Sequence, residues 1–175
     1  MQHEIELIEA NLERLRGRFP ALPLEEVLIL RLILLLAHDF GMTLEHDIRP
    51  FGLGEGEFRV LTALFSQPEG AAHPTELCAR ASQSPANMSR ISDALVREDL
   101  ITRGACKSDR RRMVLRISEK GEDLVHAILP PMFDRMRTLY GAHSAEDKRV
   151  LIASLKRLAV RVEETLGQPP AGRTK

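Results

Sequence analysis

The side chains best suited to bind a charged ligand are concentrated in one stretch of the chain. Residues 80–116 contain nine Lys and Arg but four Asp and Glu, a local charge of 9 − 4 = +5. Because the chain of 175 residues is formally neutral, the remainder carries −5. A neutral protein that concentrates positive charge in this way is expected to present it to a polyanion such as duplex DNA.

One group in this stretch lies at the start of a predicted helix, with Ser84 as N-cap and Pro85 at the first helical position. Asparagine can bond adenine, arginine can bond guanine, and alanine can contact a thymine methyl group. An ordinary solvated helix face would look similar in isolation. We predict DNA contacts from Ser84, Pro85, Ala86, Asn87, Ser89 and Arg90.

A second group lies between two predicted strands, Leu100–Cys106 and Met113–Ser118, in the sequence KSDRRR. Adjacent arginines repel one another in the free protein but are neutralised by a phosphate backbone or a narrow minor groove. An aspartate among them could pair with a neighbouring arginine and hold it at a fixed angle. A solvated basic turn is the alternative. The predicted contacts are Asp109, Arg110, Arg111 and Arg112.

The elements that must position both groups form a familiar order. A short helix opens at Pro74, a polar turn follows, and the helix after Ser84 leads into the predicted hairpin. This is a winged helix-turn-helix, in which the second helix enters the major groove. We predict a mainly α fold with a small β-hairpin wing, flanked by N- and C-terminal dimerisation helices.

A predicted helix from about Leu24 to the Arg49–Pro50 break contains the most apolar run, Val27–Ala37. That run of eleven residues is shorter than the ~18 needed to span a bilayer, so no membrane partner is expected. A helix that is apolar on nearly every side must be covered on every side. We predict that a second subunit covers it; a core helix in a monomer is the alternative.

The C-terminal part is also predicted to be helical. A helix capped by Ser118 should kink at Pro130–Pro131, and a last helix should begin after Ser144. The last helix has a narrow apolar seam suited to packing on another helix. The seam consists of Leu151, Leu155, Leu158, Val162 and Leu166.

The predicted domains are residues 1–50 for N-terminal dimerisation, 51–120 for the DNA-binding lobe and 121–167 for C-terminal dimerisation, with a disordered tail at 168–175. A composition of 43% hydrophobic and 29% charged residues suits a soluble protein. Two cysteines are too few for a disulfide framework, and no signal peptide is recognised, which predicts a cytoplasmic location. No cofactor is expected.

In this order of elements the chain resembles the MarR family of bacterial transcription regulators. The matching features are Leu100–Ile101 after the recognition helix, Asp109–Arg111 as the D-x-R of the wing, and Ile117–Gly121 at the start of the next helix. Within the family it is most similar to the EmrR/MprA branch of multidrug-efflux repressors. That similarity rests on the additional N-terminal helix, the segments FPALPLEEVLILRL and PTELCARA, and the Pro130–Pro131 pair.

The resemblance implies a homodimer on a near-palindromic operator whose half-sites lie ~10 bp apart. Arg111 would enter the minor groove, held by Asp109. Small amphipathic aromatic or phenolic effectors would bind between the dimerisation helices and the DNA-binding lobe and release the repressor from multidrug-efflux or aromatic-compound genes. The effector contacts that we predict are His38, Met42, Phe58, Arg59 and Thr62.

Other functions are less well supported by the residues. No nucleophile motif or glycine-rich phosphate loop is present, so an enzyme is not expected. A metal-sensing regulator could use His38 and Glu45, with His46 and Asp47 nearby, and a thiol-sensing regulator could use Cys78 or Cys106. A winged-helix module that binds an acidic protein is the strongest alternative from another class. Its binding would not show the steep salt dependence of phosphate contacts.

Overall fold

The computed structural model describes residues 1–105 and 113–167, which contain seven α-helices, one 3-10 helix at Arg49–Phe51 and three β-strands. The chain divides into two compact units, Met1–Asp47 and Ile48–Lys175. The predicted tail at 168–175 lies outside the described residues.

The first unit consists of helix α1 (Gln2–Arg18) and most of helix α2 (Leu24–Ile48). Glutamates in the first turn of α2 suit the positive end of its helix dipole. The predicted break at Arg49–Pro50 is confirmed, because the α-helix ends at Ile48 and the 3-10 helix follows. Several large apolar side chains of α2 are exposed, including Leu34 at 57%.

The apolar surface of this region is longer than the run that stands out in the sequence. Helical residues Leu24–Phe51, 28 in number, include a window with a mean hydropathy of 1.9 and no buried residue, which is long and apolar enough to cross a membrane. The prediction that the region is too short to do so is therefore wrong. A helix that packs on a partner subunit can be equally long and apolar. Length and composition therefore do not distinguish a membrane-spanning helix from an interface helix.

The second unit contains helices α3 (Glu55–Phe65), α4 (Pro74–Arg80) and α5 (Pro85–Arg97), followed by a wing and two further helices. Apolar residues at helical spacing on all three helices meet side chains of the sheet in a single core. Its most deeply buried members are Ile48, Val60, Leu61, Leu64, Leu77, Ile91, Leu95, Ile101, Leu115 and Val125.

The sheet has the antiparallel order β1-β3-β2, with β1 at Ala71–Ala72, β2 at Ile101–Ala105 and β3 at Met113–Ile117. The predicted hairpin strands are confirmed as β2 and β3, which pair Ile101 with Ile117. Strand β1 was not predicted, because two alanines are too short to show a strand pattern.

The predicted N-caps at Ser84, Ser118 and Ser144 are all confirmed. Each hydroxyl accepts a hydrogen bond from the backbone N–H three residues later, at 3.2, 3.0 and 3.1 Å respectively. At the third cap the Asp147 carboxylate also accepts the N–H of Ser144, at 2.9 Å, which completes a capping box. These bonds fix the start of the helix in which each cap lies.

Helix α6 runs from Glu119 to Leu139 as one element that includes Pro130 and Pro131. The helix continues on both sides of the pair, although each proline removes one backbone donor, and the predicted kink at this pair stays a prediction. Helix α7 (Ala145–Leu166) follows. None of its described side chains is buried, and the seam residue Leu155 is 47% exposed.

Candidate nucleic-acid interface

Helices α4 and α5 are joined by a tight turn in which Ser82 adopts a left-handed backbone conformation, φ +53°. A glycine on α3 brings α5 close, because a Cβ at Gly56 would lie 2.7 Å from Cδ1 of Ile91. The turn and this close approach together set the angle at which α5 crosses the lobe. The arrangement is the predicted helix-turn-helix.

The inner face of α5 is formed by Met88, Ile91, Ser92 and Leu95, none more than 3% exposed. Helical spacing in the sequence predicts Ile91, Ala94 and Leu95 in the core, and of these Ile91 and Leu95 are buried while Ala94 is half-buried. Met88 and Ser92 were not predicted there. Both follow from helical spacing, since Met88 lies three residues before Ile91 and Ser92 lies three residues before Leu95. Burial of this stripe turns the opposite face, with Arg90, toward solvent.

The structure places the predicted helix contacts in two classes. Pro85, Ala86, Ser89 and Arg90 are exposed to solvent. Ser84 and Asn87 are half-buried, and the Ser84 hydroxyl already serves as the N-cap.

A chain of polar contacts connects the turn, α5 and α3, and it was not foreseen in the sequence. The amide nitrogen of Asn87 donates to Oε1 of Gln83 at 2.5 Å. The Oδ1 of Asn87 accepts from Nε and Nη2 of Arg90 at 3.1 and 3.0 Å. Nη1 of Arg90 lies 3.8 Å from Oε1 of Glu57 on α3. The proposed base contacts therefore belong to one connected group in the free protein.

Two arginines anchor the base of the wing. Arg103 on β2 pairs with Asp93 on α5 at 2.5 Å, which ties the wing to the exposed face of that helix. Arg116 on β3 donates to the backbone oxygen of Glu69 and pairs with its carboxylate at 3.6 Å. The predicted wing contacts Asp109, Arg110, Arg111 and Arg112 lie outside the described residues.

The turn from α5 into β2 is also held in place. Asp99 adopts a left-handed conformation, φ +57°, and its carbonyl accepts from the Ser118 hydroxyl at 2.6 Å. Nζ of Lys120 donates to the carbonyl of Glu98 at 2.7 Å. The start of α6 thus fixes the direction in which the wing leaves α5.

The sequence of the lobe is similar to those of known proteins. A model of the MarR family matches residues 53–113, the segment from α3 to the start of β3. Over 157 residues, which cover 90% of this chain and 89% of the relative, the chain is 28% identical to the transcriptional repressor MprA of Escherichia coli K12. Residues 53–113 therefore match the MarR family. Over most of its length the chain is similar to a transcriptional repressor.

Solved structures of MarR-family regulators share its fold. AbsC of Streptomyces coelicolor superposes with a TM-score of 0.71 at 23% identity, covering 78% of this chain and 93% of AbsC. Sco3205 of the same organism, solved in complex with DNA, gives 0.73 at 21% identity, covering 87% of this chain and 93% of Sco3205. The predicted fold class, mainly α with a β-hairpin wing, is confirmed.

The five predicted effector contacts are divided between the two units of the chain. His38 and Met42 lie on α2 in the first unit and are exposed. Phe58 is a core residue of the second unit, 8% exposed. The Thr62 hydroxyl donates to the carbonyl of Phe58 at 2.9 Å, and Arg59 pairs with Glu55 on its own helix at 2.7 Å. Their common role as a ligand site stays a prediction.

A cavity of about 880 Å³ lies within the second unit, between the segment before α3, the C-terminal half of α5 and the start of α6. Its wall combines apolar and charged side chains. The lining residues are Phe51, Gly52, Leu53, Gly54, Glu57, Ala94, Leu95, Arg97, Glu98, Leu100, Lys120, Asp123, Leu124 and Ala127. Neither Phe58 nor Thr62 is among them.

The metal and thiol alternatives rest on His, Cys, Asp and Glu side chains. In residues 1–105 and 113–167, no group of three or more His, Cys, Asp or Glu is placed to hold a metal ion. Cys78 is a free thiol and is half-buried rather than fully buried. Cys106 lies outside the described residues.

Proposed function

We propose that this protein is a homodimeric repressor of the MarR family that binds a near-palindromic duplex operator and is released by a small amphipathic aromatic or phenolic compound. The observation that carries the proposal is the geometry of α5. Its buried stripe leaves Ala86, Ser89 and Arg90 exposed near its start, and the Arg90 side chain is 68% exposed. In a helix-turn-helix these are the positions that meet base edges.

Relatives of the chain support a role on DNA. MprA is named a transcriptional repressor, and Sco3205 was solved in complex with DNA. We extend both properties to this chain, with α5 in the major groove. The wing residues Asp109, Arg110, Arg111 and Arg112 are proposed to hold the backbone or the minor groove, because their charge suits a polyanion.

The dimer is proposed from the apolar surface that a single chain leaves uncovered. Leu151, Leu155 and Leu158 are 43%, 47% and 40% exposed along one face of α7, and α2 exposes further leucines. Association buries such surface at a gain of roughly 25 cal/mol per Å². A two-fold dimer would present two copies of α5 to successive major grooves, which suits a near-palindromic site.

The cavity beside α5 is proposed as the effector site. Its volume of about 880 Å³ lies in the range typical of drug-sized ligands. Ala94 and Leu95 belong both to its wall and to the helix proposed to enter the groove. A ligand that binds this cavity more tightly when α5 is displaced would weaken operator binding by the same factor. We propose multidrug-efflux or aromatic-compound genes as targets, and the cytoplasm as the location.

The decisive experiment uses the full-length protein and labelled duplexes from the DNA upstream of its own gene. We expect selective binding whose affinity falls steeply between about 50 and about 200 mM salt, since each phosphate contact releases counterions. A panel of phenolic acids should then displace the protein. Sedimentation should give a dimer. Absence of any duplex binding would support the protein-interaction module, and recovery of the protein only with membranes would support a membrane role for α2.

A further inference from the structure

A glycine at the start of α3 lets that helix pack closely on α5, and the glycine just before α3 leaves room for the Glu57 carboxylate. A Cβ at Gly56 would lie 2.7 Å from Cδ1 of Ile91, and a Cβ at Gly54 would lie 2.5 Å from Oε2 of Glu57. The missing side chains therefore let the Glu57 carboxylate occupy a narrow space beside α5. Its side chain is only 17% exposed, although glutamate is usually a solvated residue.

Arg90 reaches this carboxylate while its other edge is already occupied. Nε and Nη2 both donate to Oδ1 of Asn87, and Nη1 lies 3.8 Å from Oε1 of Glu57. A guanidinium has further N–H groups at its Nη1 and Nη2 end. Those groups remain for a ligand, and such a pair matches O6 and N7 of guanine.

Asn87 is not available for the bidentate contact with adenine that its residue type suggests. Its oxygen accepts from Arg90, and its nitrogen donates to Gln83 at 2.5 Å. The two bonds from Arg90 use both lone pairs of the Asn87 oxygen, which an adenine amino group would need, and one N–H of its nitrogen is engaged by Gln83. The same bonds fix the amide orientation, which in turn fixes the arginine.

We propose that Arg90 contacts a guanine of the operator and that Glu57 and Asn87 are positioning residues that hold its guanidinium for that contact. The inference rests on the proposed function, because it requires α5 to lie in the major groove. Glu57 also sets specificity. Its negative charge repels the phosphates of every duplex and so weakens binding to all sequences. The contact of Arg90 with guanine offsets this repulsion only at the operator.

The test is Glu57→Gln in the full-length protein, with Kd measured for the operator, for the operator with single guanines replaced, and for unrelated duplex. Discrimination between operator and unrelated duplex should fall by about fivefold or more, the lower end of what one bidentate base contact supplies. Glu55→Gln is the matched control. It makes the same charge change in the same helical turn, but its carboxylate pairs with Arg59, at 2.7 Å, so discrimination should stay unchanged.

A second variant displaces the carboxylate without removing its charge. Gly54→Ala is compatible with the backbone, since Gly54 has φ −89° and ψ 167°, but its Cβ takes the space of the Glu57 carboxylate. It should lower discrimination in the same direction as Glu57→Gln. Full discrimination in both variants would overturn the inference, as would equal losses in Glu57→Gln and Glu55→Gln.

A measurement without DNA separates this inference from the proposed function. The side-chain Nε–H resonance of Arg90, assigned with Arg90→Lys, should exchange slowly with water in the wild type and faster in Glu57→Gln and Asn87→Ala. Glu55→Gln should leave it unchanged. If the exchange rate of the Arg90 Nε–H is the same in Glu57→Gln as in the wild type, the positioning role of Glu57 is overturned. Failure of the wild type to bind any duplex overturns the proposed function instead.

Discussion

Gly121 is a position where one methyl group should damage the lobe. It lies in the first turn of α6 and is buried. An added Cβ would overlap the backbone carbonyl oxygen of Leu100 and lie 2.9 Å from Cγ1 of Ile117. A backbone oxygen cannot rotate away as a side chain can, so Gly121→Ala must push α6 and the start of β2 apart.

The magnitude follows from three contributions. Alanine in place of glycine favours a helix by ~1 kcal/mol. Overpacking a filled core costs ~1–3 kcal/mol. The carbonyl of Leu100 also accepts the N–H of Ser118 at 3.1 Å, and weakening that bond costs ~1 kcal/mol. The net expectation is a loss of ~1–3 kcal/mol in the free energy of unfolding.

The assay is urea unfolding followed by circular dichroism at one fixed protein concentration, because a dimer's stability depends on concentration. Gly41→Ala is the control: it makes the same change within α2, where nothing lies within 4 Å of the added Cβ. It should be neutral or stabilise by up to ~1 kcal/mol. A Gly121→Ala protein at least as stable as the wild type would refute the proposed contact of α6 with β2.

Three further predictions concern the helix caps and the α7 seam. Ser84→Ala should destabilise the protein by ~1 kcal/mol in urea unfolding and weaken duplex binding, because the recognition helix loses its N-cap bond. The hydrogen bond from the Ser144 side chain, then that from its backbone, lowers the pKa of Asp147 below its ordinary value. The stabilisation of α7 by the ionised Asp147 carboxylate is therefore complete above the ordinary pKa of aspartate. It is lost as pH falls through the lowered pKa of the folded protein. A helicity titration should show the loss in the wild type and not in Asp147→Asn. Leu155→Glu should give monomers in sedimentation, whereas Ala153→Glu, on the opposite face of α7, should not; intact dimers in both would contradict the proposed interface.

Features that depend on neighbouring residues were predictable from the sequence. The three serine caps, the short helix at Pro74 and the hairpin strands each rest on hydrogen bonds or turns within a few residues. Helical spacing likewise predicted Ile91 and Leu95 in the core. In these segments the local hydrogen bonds favour one backbone conformation, and the folded protein has that conformation.

Features that depend on distant residues were not predictable. Strand β1 exists because Ala71 and Ala72 lie opposite Arg116 and Leu115. Two residues carry too little pattern to show that pairing. The length of the apolar surface on α2 was also underestimated, because only the unbroken apolar run was counted. A helix places apolar residues along a face even where polar residues interrupt the run.

The cationic stretch at residues 80–116 by itself predicted a polyanionic ligand and a capped helix and a hairpin as the elements that would bind it. Only the tertiary structure decided which side chains of α5 have donor groups left to bind a ligand. The close packing of α3 on α5 at Gly56 brings Glu57 beside Arg90, and Asn87 bonds to Arg90 although its residue type suggests a base contact. Charge and helix caps are properties of short segments, whereas the direction of a guanidinium is set by the side chains that surround it.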